Sequence, residues 1–182
     1  MVKNALTEQI QLAISLQRKH QFSDAEKLYK KLLKLYSDNF EINFLLGFLY
    51  KQVRNFENSE IYLSKACKIK PSHSESKYNL GFVYEKLGNI KKALQLYKET
   101  LNINSQHLIA QLRLAECQSE NGIKDEAKMN YCQIIEKDNN NSTAHWNYGT
   151  LLLKEGKHKK GLDHIKKGTG FVRFSHNSFE II

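Results

Sequence analysis

A pattern of small side chains recurs through this sequence every 34 residues, without insertion or deletion. Two sets of five positions, twelve residues apart, hold only Gly, Ala or Ser. The first set is Ala13, Gly47, Gly81, Ala115 and Gly149, and the second is Ala25, Ser59, Ala93, Ala127 and Gly161. A fixed period of this length is typical of repeat proteins, in which each repeat is one supersecondary unit. The sequence therefore predicts five copies of one unit.

Large apolar residues keep the same period. One set directly precedes the first small residue: Leu12, Leu46, Leu80, Leu114 and Tyr148. Another follows the second small residue by four positions: Tyr29, Leu63, Tyr97, Tyr131 and Ile165. Spacings of three and four place residues on one face of a helix. Turn residues interrupt each unit at His20-Gln21, Arg54-Asn55, Gly88-Asn89, Gly122 and Gly156. Each unit is therefore predicted to be a helix, a tight turn, a second helix and a loop.

One amphipathic helix pair cannot bury its apolar face alone, so consecutive pairs are expected to stack into one core. The predicted fold class is all-α, a solenoid of antiparallel helix-turn-helix repeats. The predicted boundaries are a leader at 1–5, repeats at 6–39, 40–73, 74–107, 108–141 and 142–175, and an apolar C-terminal tail at 176–182.

The third unit carries the most specific motif. It reads Tyr78-Asn79-Leu80-Gly81-Phe82-Val83-Tyr84, then Gly88-Asn89-Ile90, Lys92-Ala93-Leu94 and Tyr97. In period and pattern the chain resembles the tetratricopeptide repeat (TPR) family. The family's Trp is absent at the matching positions, which hold Gln9, Asn43, Lys77, Gln111 and His145, and Trp146 lies one place later. The resemblance implies a right-handed superhelix whose concave face is formed mainly by the first helix of each repeat.

The resemblance also implies which residues line that concave groove. The apolar candidates are Ile10, Ile14, Phe44, Phe48, Tyr78, Phe82, Leu112 and Trp146, with Asn79 and Arg113 as polar points. An exposed apolar patch of this kind usually marks an interaction site. We therefore expect a partner peptide or helix to bind there. The alternative is that some of these rings pack against the next helix or against the tail.

Some members of the family hold a C-terminal carboxylate with a clamp of Lys, Asn and Arg. At the five clamp positions of units two to four this sequence has Phe44, Phe48, Asn79, Ile109 and Arg113. Only two of these five fit the clamp, so a clamp of this kind is not expected.

The chain is basic, with 28 Lys+Arg against 19 Asp+Glu and a formal net charge of +9. The excess Lys residues lie on the predicted second helices and turns, while the groove positions are nearly balanced. A basic convex face could attract nucleic acid or an acidic surface. The competing interpretation is a solvated, solubilising face, and Lys outnumbers the Arg that usually recognises phosphate. Nucleic acid is therefore the alternative partner and not the expected one.

No catalytic or nucleotide-binding motif is present, and the seven His residues are scattered. We expect neither catalysis nor a cofactor nor a metal site. The three Cys residues are an odd number at unrelated spacings, which favours a reduced, cytoplasmic chain. No apolar run approaches the roughly 18 residues that cross a bilayer.

The C-terminal end is apolar and alternates in a way that favours extended structure. Residues 170–174 and 179–182 carry this pattern. Three hypotheses follow: the tail caps the last repeat, it mediates self-association, or it occupies a groove. The leading function is a non-catalytic scaffold that binds a partner protein, and an accessory subunit that recruits an enzyme to its substrate is a further alternative.

Overall fold

The computed structural model describes residues 2–169, 172–175 and 178–181. These residues form ten α-helices and one pair of short strands. The helices are α1 Val2–Arg18, α2 Phe22–Leu35, α3 Phe40–Gln52, α4 Phe56–Ile69, α5 Ser74–Lys86, α6 Ile90–Ile103, α7 Leu108–Glu120, α8 Lys124–Lys137, α9 Ser142–Lys154 and α10 His158–Thr169. The strands are β1 Val172–Ser175 and β2 Ser178–Ile181.

The helices pack in consecutive pairs, which confirms an all-α helical-repeat solenoid. Each pair, beginning with α1 and α2, overlaps one predicted repeat, but α1 begins at Val2, inside the range predicted for the leader at 1–5. The chain divides into two compact units, Met1–Asn104 with α1 to α6 and Ser105–Ile182 with the remaining elements. Within the described residues, none of the helices is both long enough and apolar enough to cross a membrane.

Small residues are buried where paired helices approach each other, and all ten predicted positions are buried. At Gly47 the approach is so close that an added Cβ would lie 2.7 Å from Leu63 Cγ and 2.9 Å from the Leu63 backbone nitrogen. The hydroxyl of Ser59 donates a 2.7 Å hydrogen bond to the Gly47 carbonyl oxygen. The close packing of α3 on α4 therefore depends on the absence of a side chain at Gly47.

Large residues fill the remaining space, with one exception at the start of the chain. All five residues that follow the second small residue are fully buried: Tyr29, Leu63, Tyr97, Tyr131 and Ile165. Leu12, predicted to be a core residue like Leu46, is 55% exposed. Leu46, one period later, instead belongs to the apolar cluster of α1, α2 and α3.

The turn inside each repeat requires a left-handed backbone conformation at one fixed position. The φ angles there are +60° at His20 and Arg54, +77° at Gly88, +80° at Gly122 and +76° at Gly156. Only glycine adopts such angles without a steric cost. Two of the five turns therefore carry strain that the other three avoid.

Side chains cap the helices at repeating positions. The residue before α3, α5, α7 and α9 accepts a hydrogen bond from a backbone N–H in the first turn, and these residues are Asn39, His73, His107 and Asn141. The His73 Nδ1 accepts from the Ser76 N–H at 3.2 Å. An imidazole replaces the usual Asn, Asp, Ser or Thr at two of these four caps.

The predicted tail is partly a strand pair. The two strands pair antiparallel, with Val172 opposite Ile181 and Ser175 opposite Ser178. The strand β1 contacts α10 and begins inside the range predicted for the fifth repeat. Positions 170–171, 176–177 and 182 lie outside the described residues.

Replacing a strained turn residue by glycine should stabilise the fold. We expect Arg54→Gly to raise the free energy of unfolding by about 1 kcal/mol, because it removes a Cβ from a left-handed residue. Urea denaturation followed by circular dichroism measures the change. Arg54→Ala is the matched control, since it removes the same long side chain but keeps the Cβ, and it should not stabilise. Equal stabilisation by both variants would contradict the explanation from backbone strain.

Adding a methyl group at the closest helix approach should destabilise the fold. We expect Gly47→Ala to cost about 1–3 kcal/mol, as overpacked cores do, because the new Cβ meets the Leu63 backbone. Thermal unfolding followed by circular dichroism measures the loss.

The comparison variant is Gly81→Ala, where the nearest atom to an added Cβ is Cε1 of the Tyr97 ring at 2.9 Å. A ring can shift more readily than a helix backbone, so this loss should be smaller. A larger loss at Gly81 would contradict the packing argument.

Candidate functional site

The first helices of neighbouring repeats contact one another within each unit. In the first unit α1 contacts α3 and α3 contacts α5, and in the second unit α7 contacts α9. We call the surface of these odd-numbered helices, in each unit separately, the first-helix face. Eight of the ten predicted binding residues are half-buried on these helices: Ile14, Phe44, Phe48, Tyr78, Phe82, Leu112, Arg113 and Trp146.

Four aromatic side chains of α3 and α5 form what we call the aromatic row, Phe44, Phe48, Tyr78 and Phe82. The rings of Phe44 and Phe48 are nearly parallel, with centroids 6.4 Å apart. Helical spacing of four residues brings the members of each pair to the same side of their helix. One predicted aromatic pair lies on α3 and the other lies on α5, in the same unit of the structure.

The ammonium group of Lys51 lies among three rings of the aromatic row. Its Nζ is 4.6 Å from the ring centroid of Phe48, 5.3 Å from Phe82 and 5.9 Å from Tyr78. A second cation, Lys86 Nζ, lies 5.1 Å from the Phe82 centroid. Cation–π contacts stabilise such an arrangement by about 0.5–1 kcal/mol at exposed sites, and more where water is excluded. The row therefore combines apolar surface with positive charge.

Asn79 does not line this face, although the family pattern places it there. Its side chain is 0% exposed. Its Nδ2 donates to the Glu75 backbone carbonyl at 2.7 Å and to Glu75 Oε1 at 2.9 Å. Its Oδ1 accepts a hydrogen bond from Lys51 Nζ. Asn79 therefore positions Lys51 over the rings, and its own buried amide is not available to a peptide.

Ile10 is likewise a core residue and not an exposed groove residue. It is 3% exposed and belongs to the apolar cluster of α1, α2 and α3, with Ala13 and Leu46. In this first repeat the packing of α1 on its neighbours uses the side chain that the family pattern assigns to the groove.

Ile14 and Phe48 line one shallow cavity between α1 and α3. The cavity has a volume of about 220 Å³, and its other lining residues are Gln17, Arg18, Leu45 and Gln52. Gln17 donates to the Gln52 side chain and accepts from the Tyr29 hydroxyl. The structure therefore brings these two predicted residues together and surrounds them with polar groups.

In the second unit the first-helix face is polar. Arg113 pairs with Glu116 at 3.3 Å, and Asn147 Nδ2 donates to Glu116 Oε1 at 2.9 Å. A cavity of about 190 Å³ lies here, lined by Glu116, Ser119, Glu120, Tyr131, Asn147, Thr150, Leu151 and Lys154. Burial, together with the charges of Glu116 and Glu120, raises the pKa of Tyr131.

Two predicted apolar residues, Leu112 and Trp146, lie on the first helices of the second unit. Leu112 packs against the apolar cluster of Ala115 and Tyr131. Trp146 is half-buried, and its backbone nitrogen would lie 2.8 Å from a Cβ added to Gly168. The sequence analysis did not single out Asn147, whose link to Glu116 depends on how α7 and α9 meet.

Several lysines of the second helices pair with carboxylates. Lys30 Nζ lies 2.7 Å from Glu26 Oε1, and Lys65 Nζ lies 3.2 Å from Asp38 Oδ1. Lys128 contacts both Asp125 and Glu155. Such pairs reduce the number of uncompensated charges on this surface, and they favour the interpretation of a solvated face over a phosphate-binding one.

The reactive groups of the chain do not assemble into a chemical centre in the described part. No group of three or more His, Cys, Asp or Glu residues comes together there as metal ligands. Burial raises the pKa of the Cys67 thiol to about 11, so this side chain stays protonated at neutral pH. Cys67, Cys117 and Cys132 are free thiols.

The structure brings together two histidines that are 19 residues apart in the chain. The Nδ1 atoms of His145 and His164 lie 2.9 Å apart, which joins α9 to α10. The other ring nitrogen of His145 lies 3.0 Å from the Asn139 carbonyl oxygen. The pKa of His164 is lowered by burial, by His145 and by Lys167, with Asp163 opposing. The spacing of these two histidines in the sequence does not predict their contact.

Family models match the middle of the chain three times. Tetratricopeptide-repeat models match residues 40–73, 74–107 and 109–139, which together make up more than half of the chain. The chain belongs to the tetratricopeptide repeat family. A comparison with curated protein sequences gives no match.

Solved structures with the same TPR fold cover most of this chain. One is YrrB, titled a TPR protein with an unusual peptide-binding site, with a TM-score of 0.79, 23% identity, and coverage of 89% of this chain and 84% of YrrB. Another is MamA from Desulfovibrio magneticus, with a TM-score of 0.84, 15% identity, and coverage of 91% and 93%. A TPR protein from Parabacteroides merdae has a TM-score of 0.75, 21% identity, and coverage of 89% and 63%. At these identities the likeness shows the fold alone.

Acidification should destabilise the last TPR hairpin. The pKa of His164 is lower in the folded chain than in the unfolded chain, so the unfolded chain binds more protons as the pH falls. Stability should therefore decrease as the pH falls through about 6.5, the ordinary value for His. We expect a lower Tm at pH 5.5 than at pH 7.5, and a smaller difference in His164→Gln.

The control for this experiment is His158→Gln, which changes an exposed His on the same helix. It should keep the wild-type pH dependence. His73 contributes in the same direction, because burial and Lys70 lower its pKa, so His164→Gln reduces the effect without abolishing it. An unchanged Tm difference in His164→Gln would refute the role of the pair.

Proposed function

We propose that this TPR protein is a non-catalytic scaffold that binds an extended or helical segment of a partner protein on the first-helix face of its first unit. Membership of the TPR family supports a protein-interaction module. The observation that carries the finer proposal is the aromatic row with Lys51 among its rings. YrrB, a neighbour of the same fold, has a peptide-binding site by its title.

The chemistry of the row indicates the kind of segment that fits it. Half-buried rings favour an apolar or aromatic side chain, since burial of a large side chain contributes about 1.5–3 kcal/mol before ordering costs. Lys51 favours a carboxylate beside that side chain, whereas Lys86 already pairs with Glu85 at 2.8 Å. The carbon stems of both lysines can pack on the ligand while their ammonium groups remain solvated.

The proposal also includes the absence of catalysis and of a cofactor, a cytoplasmic location, and self-association through the C-terminal end. An accessory role, in which the bound partner is an enzyme, is compatible with the same surface.

Removing two rings of the row should weaken partner binding without unfolding the chain. A pull-down from native lysate with mass spectrometry identifies the partner, and calorimetry with the partner's binding segment gives the Kd. We expect Phe48→Ala with Phe82→Ala to raise that Kd by about tenfold or more, because tenfold corresponds to about 1.4 kcal/mol.

The control is Leu35→Ala with Met129→Ala, which removes two exposed apolar groups from second helices. It should bind as wild type does. Circular dichroism checks that both double variants are folded. Unchanged binding in the folded ring variant contradicts the proposed site. A steep loss of binding between low and moderate salt would instead favour the Lys-rich second-helix face and an acidic partner surface.

A further inference from the structure

A second cavity lies away from the first-helix face, between the second helices α2 and α4. Its volume is about 420 Å³, which falls within the range of small ligand sites. It shares no lining residue with the aromatic row. We call it the second-helix cavity, and its lining is Lys30, Leu33, Lys34, Ser37, Asn43, Ile61, Tyr62 and Lys65.

The most buried residue that lines this cavity is Asn43, which is 1% exposed. Its Nδ2 donates to two backbone carbonyls, those of Ser37 at 3.0 Å and Asn39 at 2.7 Å. Both partners are acceptors, so the amide nitrogen must face them, and this fixes the position of the oxygen. In the part of the chain that the structure describes, Asn43 Oδ1 is the one buried side-chain polar atom without a hydrogen-bond partner.

The equivalent residue of each later repeat has a side-chain partner from its own second helix. Lys77 donates to Glu99 in the third repeat. Gln111 Nε2 donates to Gln133 Oε1 at 2.7 Å in the fourth. In the fifth, His145 pairs with His164. A buried acceptor without a partner is costly, so the second repeat departs from a rule that the other three obey.

The residue of the second repeat at the position of Glu99 and Gln133 is Lys65. Its Nζ contacts Asp38 at 3.2 Å, and the Asp38 side chain is strongly exposed. Lys65 is therefore not the partner of Asn43 Oδ1, which is itself buried, so a donor from outside the repeat reaches this oxygen only after the side chains that cover it move.

The charge at the rim of the cavity indicates which charged groups a ligand would carry. The rim carries three lysines, Lys30, Lys34 and Lys65, against two nearby carboxylates, Glu26 and Asp38. Exposed pairs of this kind contribute little, so a ligand carboxylate can replace them. The walls between rim and floor are apolar, formed by Leu33, Ile61 and the Tyr62 ring.

We propose that the second-helix cavity binds an acidic segment of a partner protein through one aromatic side chain that carries a hydrogen-bond donor. The aromatic body lies against Ile61 and Tyr62, its N–H donates to Asn43 Oδ1, and flanking carboxylates meet the lysines of the rim. A Trp side chain fits this description best, since its indole N–H is a donor only. The site is separate from the proposed function and does not depend on it.

The test uses the full chain and the peptide acetyl-Glu-Asp-Trp-Asp-Glu-amide, with binding followed by calorimetry. We expect saturable binding by wild type, and a Kd raised by about tenfold or more in Ile61→Glu and in Lys34→Glu. The same peptide with Phe in place of Trp should bind about fivefold more weakly or worse, because it leaves Asn43 Oδ1 without a donor.

Equivalent positions of other repeats supply matched controls. Met129 is two 34-residue periods after Ile61, and each is 60% exposed. Lys68 is one period after Lys34 and is also exposed. Met129→Glu and Lys68→Glu should therefore bind the peptide within about twofold of wild type.

The proposal would be overturned by no saturable binding by wild type, by unchanged binding in a folded Ile61→Glu, or by equal binding of the Trp and Phe peptides. The variant Phe48→Ala with Phe82→Ala separates this site from the first-helix face. It should bind the peptide as wild type does, and loss of binding in it would place the peptide on the aromatic row and exclude the second-helix cavity. Failure of the peptide test leaves partner binding by the aromatic row unaffected.

Discussion

Close contact between paired helices at small residues is the constraint on which the rest of this structure depends. At Gly47 the backbone of α3 approaches Leu63 of α4 so closely that there is no space for a methyl group. The same type of contact recurs every 34 residues and is buried each time. Because the small residues hold each pair together, the larger side chains of the first helices are left to cover neighbouring repeats or to face solvent. The aromatic row is the set that this arrangement leaves half-buried on α3 and α5.

The two candidate sites differ in how they relate to the repeat pattern. The aromatic row uses a position that repeats as an apolar residue and adds Lys51, which is held in place by a buried amide. The second-helix cavity uses a position where the repeat fails to provide an internal partner, so that Asn43 keeps an acceptor without a donor. One site therefore depends on regularity and the other on a local departure from it. Their lining residues do not overlap, so the two proposed sites do not compete for the same side chains.

Most of the fold could be predicted from the sequence, whereas the details of the sites could not. The small residues and the turn positions are visible because packing and backbone geometry restrict which residue types fit. Ile10 was misassigned because the family pattern alone does not show that this side chain packs into the apolar cluster of α1, α2 and α3. Asn79 was misassigned because a polar residue can equally face a ligand or support a neighbour, and only the contact with Lys51 decides. The pairing of His145 with His164 depends on a side-chain contact between two helices that no spacing encodes.

The imidazole cap of α5 makes the beginning of one repeat sensitive to acid in a way that the asparagine caps are not. A protonated Nδ1 cannot accept the Ser76 N–H, whereas the amide oxygens of Asn39 and Asn141 do not titrate. In a repeat protein each hairpin contacts mainly its neighbours, so local fraying need not spread through the chain. Acidification would then loosen the first turn of α5, immediately before Tyr78, and leave the asparagine-capped starts of α3 and α9 in place. The start of α5, in the middle of the first unit, is therefore expected to become less ordered as the pH falls.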